Sequence, residues 1–156
     1  MYVISSGNSQ DGPEPYGPAD GIPAFEARLT RHRRSAQVAR NHLREFLQRV
    51  PGGRALAGDG QLVLGELVAN AVVHARVSPG REIAIRFEVV CDHLRIEVHD
   101  ASSEKPAIRR TADPEDMSGR GLYLVEALSL EWGYGPRPEG IGKIVWALVS
   151  PKGGAE

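Results

Sequence analysis

The segment Gln61-Leu-Val-Leu-Gly-Glu-Leu-Val-Ala-Asn-Ala-Val-Val-His-Ala constrains this chain more than any other. It is apolar on nearly every side of a helix, so a stable fold has to enclose it. Glu66, Asn70 and His74 are the exceptions, at i, i+4 and i+8. Side chains four apart stack along one helix face. Enclosing such a polar group without a partner costs about 1–3 kcal/mol. The stripe therefore faces either water or a site that satisfies it. In a site, the carboxamide oxygen suits a hard cation such as Mg²⁺. The carboxylate one turn away suits taking a proton from an attacking hydroxyl. His74, near the helix end, reads first as a structural residue.

The neighbouring patterns build a fold around this helix. Phe25, Ala27 and Leu29 alternate with Glu26, Arg28 and Thr30, which predicts a first strand over Ala24–Thr30. Ser35 suits an N-cap for a helix in which Ala36, Ala39, Leu43, Phe46, Leu47 and Val50 recur at helical spacing until Pro51-Gly52-Gly53. Asp59 is the expected cap of the apolar helix, which runs from Gln61 to about Arg76. Ile83, Ile85, Phe87 and Val89, then Leu94, Ile96 and Val98, alternate with polar residues on either side of Cys91-Asp92-His93. That is the pattern of an antiparallel hairpin with one buried face. Asp100 to Ser118, with Pro106 and Pro114, reads as a long functional loop. A third helix is expected from Gly121 to Leu130, and Ile144–Val149 is apolar throughout, as a central strand would be. The expected class is α/β (an α+β sandwich), a mixed sheet with its helices on one face.

Composition removes several alternatives. The 156 residues are 41% hydrophobic and 25% charged, as in a globular domain. Net charge is −1, which gives no electrostatic reason to expect nucleic acid or a membrane surface as partner. A single cysteine, Cys91, allows no internal disulfide and fits a reducing, cytoplasmic location. No apolar run reaches membrane-spanning length. Residues 1–22 are rich in Gly, Pro, Ser and Asn and read as a flexible tail rather than a signal peptide. The expected domain is residues 23–150, with 151–156 a short frayed end.

Two further segments bear on chemistry. Asp100 ends an alternating strand; such a carboxylate starts many loops, and it can also accept a hydrogen bond from the exocyclic amine of a base. Ser118-Gly119-Arg120-Gly121-Leu122 closes the long loop and opens a helix. Its glycines let backbone approach a phosphate, and free amides at a helix start favour an anion. No Gly-x-x-x-x-Gly-Lys-Ser/Thr loop occurs in the chain, and no His/Cys spacing fits a metal site.

Taken in order, these segments resemble the boxes of the Bergerat (GHKL) ATPase/kinase superfamily. Glu66-Leu-Val-Ala-Asn70-Ala-Val-Val-His-Ala is similar to its N-box. Val98-His-Asp100-Ala-Ser-Ser is similar to its G1 box, Gly119-Arg-Gly-Leu122 to its G2 box, and Gly142-Lys-Ile-Val-Trp-Ala to its final box. The compact chain, with no phospho-acceptor helix hairpin before the N-box, is most similar to anti-sigma-factor serine/threonine kinases.

The resemblance implies cofactors, roles and partners. Asn70 would hold the Mg²⁺ of bound ATP, and Glu66 would be the general base. Asp100 would take the adenine amine. Gly119, Arg120, Gly121 and Leu122 would cradle phosphates, with His74, Ser102 and Lys143 also lining the nucleotide. The partners would be a sigma factor and an anti-anti-sigma protein, the latter phosphorylated on serine, and the resemblance also implies a homodimer. Two boxes depart from the pattern. Asp100-Ala-Ser-Ser-Glu stands for the usual Asp-x-Gly-x-Gly, and Lys143 stands where Thr or Ser is usual. They keep open a second reading: a non-catalytic anti-sigma or adaptor module with weak or no ATP turnover. A detached histidine-kinase catalytic domain is a third.

Overall fold

The computed structural model describes residues 21–74, 82–100, 117–137 and 142–152. In chain order these form β1 (Ala24–Thr30), α1 (Ser35–Gln48), α2 (Arg54–His74), β2 (Glu82–Val90), β3 (His93–Asp100), α3 (Met117–Leu128), β4 (Glu131–Pro136) and β5 (Lys143–Val149). The strands make one sheet in the order β1-β2-β3-β5-β4. α2 packs against β3 and β5 and against both other helices, while α1 reaches β1.

Alternation places the core. Phe25, Ala27 and Leu29 of β1 pair across from Phe87, Ile85 and Ile83 of β2. Leu94, Ile96 and Val98 of β3 oppose Val149, Ala147 and Val145 of β5. These inward residues meet Leu43, Phe46 and Leu47 of α1, Val63, Leu64, Leu67 and Val68 of α2, and Val125 of α3 in one apolar cluster. Each large side chain so enclosed contributes about 1.5–3 kcal/mol. Phe25, Phe46 and Phe87 add ring contacts, with the Phe25–Phe87 pair stacked at 5.5 Å between centroids.

The α+β class and the single helix layer are as expected. The sheet differs: all four pairings are antiparallel rather than mixed. The connections explain it. Two helices separate β1 from β2, so the second strand returns opposite to the first. β3 and β4 are joined across one helix and run in the same sense, but β5 folds back between them and pairs antiparallel with both.

β1 has the expected bounds, and β5 is central, beginning one residue early at Lys143. Other boundaries moved. Ser35 is not the cap of α1; Arg34 is, and the buried Ser35 hydroxyl donates to the carbonyl of Thr30. α2 starts at Arg54, seven residues before Gln61, so Asp59 lies inside the helix, where it pairs with Lys152 at 2.9 Å. The Lys152 amide also donates to the Ala55 carbonyl, so the chain stays anchored past Ser150. Gly60 lets α2 approach the sheet closely: a Cβ there would lie 2.8 Å from Leu94 Cδ2. α3 begins at Met117 rather than Gly121 and ends at Leu128. β4 was not foreseen. The β2–β3 turn is tight, with both Cys91 and Asp92 at positive φ, 50° and 65°. The 1–20 part of the expected tail, the 101–116 part of the expected loop and Arg76 lie outside the described residues.

Candidate functional site

The site is built on α2. Buried Val63, Leu64, Leu67, Val68 and Ala71 fix which side of this helix meets the core. Glu66 and Asn70 follow each other by one turn on the flank of that stripe, and both are half-buried rather than open to bulk solvent. Asn70 carries an unmet demand: its Nδ2 is buried and has no hydrogen-bond partner among the described residues. An orphaned amide costs about 1–3 kcal/mol, which a ligand that meets it would recover.

The second part lies at the end of β3, on the sheet face that α2 covers. Asp100 follows Leu94, Ile96 and Val98 on the inward side and is 2% exposed. Cross-strand register sets it against Lys143, the first residue of β5, itself 8% exposed. The Lys143 ammonium lies 3.3 Å from Asp100 Oδ1 and 3.2 Å from Oδ2. Burying two charges costs far less when they neutralise each other at contact.

The third part is the start of α3, which packs against α2. Gly119 and Arg120 lie in its opening turn, with Gly121 just after it, rather than in a loop ahead of the helix. Amides in a first turn have no intrahelical acceptor and stay available to an anion. Leu122 is 2% exposed, and its side chain belongs to the core. Only the helical backbone is described for His74, Gly119, Arg120 and Gly121, and Ser102 lies wholly outside the described residues.

A second buried carboxylate sits three residues before Asp100, on the other face of β3. Glu97 is 5% exposed and is held by Arg95 at 3.2 Å and His99 at 3.1 Å, with Arg86 opposite it on β2. Burial alone would raise its pKa, but the hydrogen bond and charge of His99 and the charges of Arg95 and Arg86 outweigh that and hold it below the usual 4.5. Arg95 also lies over the Trp146 ring, 4.7 Å from its centroid. This network and the Asp100–Lys143 contact were missed from the sequence. No local signal announces either, because each joins residues through strand order.

The residues present suit a nucleotide with its metal. Among the described residues no cluster of three or more His, Cys, Asp or Glu could hold a metal. Mg²⁺ asks for none, since it takes one or two protein ligands and completes its shell with phosphate oxygens and water. Asn70 would meet the metal or a phosphate, Asp100 the base, and the first turn of α3 the phosphates. The unpaired Asn70 Nδ2 is a donor that fits a phosphate oxygen; a metal would be held by the oxygen of the same carboxamide. No helix among the described residues is long and apolar enough to cross a membrane.

Comparison with known proteins agrees. No curated protein matches the chain in sequence. The family model for the histidine kinase-like ATPase domain matches residues 27–148, from within β1 to within β5, a span that includes Glu66, Asn70, Asp100 and Lys143. With that match over most of its length, and a helix-covered sheet to carry it, the chain belongs to the histidine kinase-like ATPase domain family, whose members are built to bind ATP.

Proposed function

We propose that this chain is an ATP- and Mg²⁺-dependent serine/threonine protein kinase of a partner-switching pathway. In it the chain restrains a sigma factor and phosphorylates an anti-anti-sigma protein. The observation that carries the reading is the α2 flank: a half-buried Glu66 one turn before an Asn70 whose buried amide has no partner among the described residues. Glu66 takes the proton of the acceptor serine as its oxygen attacks. Asn70 holds the phosphate end in register, and amides in the first turn of α3 receive phosphate oxygens. Mg²⁺, when bound, neutralises charge on the phosphates.

The test is phosphate transfer from labelled ATP to a cognate anti-anti-sigma protein. Glu66→Ala is expected to lower the transfer rate by about 10²–10⁴-fold, the usual weight of a general base, while ATP affinity stays nearly unchanged. Unchanged transfer in Glu66→Ala removes the proposed base. No transfer by the native chain, with ATP bound, supports the second reading: an anti-sigma or adaptor module that keeps the fold without the chemistry. The Asp100–Lys143 contact favours that alternative, because the carboxylate meant for the base already holds a cation.

A further inference from the structure

Lys143 is an unusual neighbour for a carboxylate that is to receive a neutral amine. Its ammonium reaches both oxygens of Asp100, at 3.3 and 3.2 Å. Both side chains are nearly closed to solvent, at 11% and 3% exposure. Register fixes the contact, since the two residues face each other across the β3–β5 ladder on the covered side of the sheet. A donor held at that distance, in a place poor in water, is not displaced cheaply.

We propose that Lys143 is a specificity-determining residue that occupies, on Asp100, the place of a base's exocyclic amine, so that an incoming nucleotide must displace or share the ammonium. This rests on the reading of Asp100 as the base-binding residue. Two consequences follow. Affinity for an adenine nucleotide is lower than the remaining site would give. Discrimination between bases is also weak, because the pair offers an acceptor, Asp100, to an amine and a donor, Lys143, to a carbonyl. A purine with a keto group in place of the amine is therefore accepted nearly as well.

The experiment uses the full chain and titrates Mg·ATP and Mg·ITP, whose base has a carbonyl for the amine, by calorimetry. Thermal melting is recorded with and without each nucleotide. The variants are Lys143→Thr and Lys143→Met; the second keeps the buried stem and removes only the charge, and either carries the comparison if the other fails to fold. Both are expected to melt lower than the native chain without nucleotide, because Asp100 loses its cation. ATP should restore more of that loss than it adds to the native protein. ATP affinity should rise about tenfold, or about 1.4 kcal/mol. The ratio of ATP to ITP affinity should rise from near one to about tenfold. A purely structural Lys143 would lower melting but leave that ratio alone. Equal ATP affinity in native and variant chains, or an unmoved ratio, overturns the proposal while the nucleotide site stands. Absence of binding by the native chain and by both variants overturns the nucleotide reading and this proposal together.

Discussion

Glu97 and Asp100 are both nearly buried carboxylates on β3, three residues apart, yet they sit on opposite faces of the sheet and in opposite circumstances. Glu97 lies on the face away from the helices, amid side chains that still touch water: Arg95, His99 and Arg86 are 19%, 21% and 26% exposed. Asp100 lies on the helix face, and its lysine is 11% exposed. Burial by itself therefore does not mark a functional carboxylate. What separates the two is how readily the cation around each can turn to solvent when the carboxylate changes.

That difference can be broken by the same change made twice. Asp100→Asn leaves the Lys143 ammonium enclosed beside a neutral amide, and should cost about 3–5 kcal/mol in denaturant unfolding. A loss near 1 kcal/mol would mean that Lys143 reaches water freely, and the contrast would be gone. Glu97→Gln should cost less, about 1–2 kcal/mol at neutral pH, because its cations can rehydrate.

The same Glu97 variant sharpens the contrast through pH. A carboxylate whose folded pKa lies below its unfolded value stabilises the protein above that unfolded value, near 4.5. The stabilisation is lost as pH falls through the folded value. The gap between native and Glu97→Gln stability should thus be full near neutrality and shrink below about pH 4.5. A gap that is constant down to pH 3 would show that the charged network contributes nothing there.

The smallest effect is a control on the shared hairpin. Cys91 and Asp92 both adopt positive φ, a conformation that is cheap for Asn and Gly. Cys91→Asn/Asp92→Gly should stabilise by about 0.5–1 kcal/mol. Placed in each carboxylate variant it should shift both equally, leaving their difference intact within about 0.5 kcal/mol.

Much of this was legible in the residues. β1, β2, β3 and β5 followed from alternation, because each buries one side and wets the other or, for β5, is enclosed. Glu66 and Asn70 stood out because polar residues are expensive on an apolar helix, and both proved half-buried. The first turns of α2 were hidden because Gly58 and Gly60, poor helix formers, lie in them. Gly60 is there because the Leu94 and Leu43 side chains take the space of its missing Cβ. β4 was hidden for a similar reason. After Glu131 its outward positions are Gly133 and Gly135 rather than polar residues, and the Trp146 ring lies against Gly133, 2.9 Å from where a Cβ would stand. Leu122, three residues before Val125, joins it in the core, as helical spacing of apolar residues dictates. The Lys143 contact could not be read at all, since it depends on β5 entering between β3 and β4.

The clasp at Lys152 has a practical side. Its amide and ammonium secure Ala55 and Asp59, in the half of α2 that precedes the polar flank. A shortened chain ending at Ser150, or a reporter spliced there, discards both attachments and frees the root of the helix that bears Asn70. Nucleotide handling in such a chimera would then change through a joint remote from the ligand, and the change would be mistaken for a defect of the pocket.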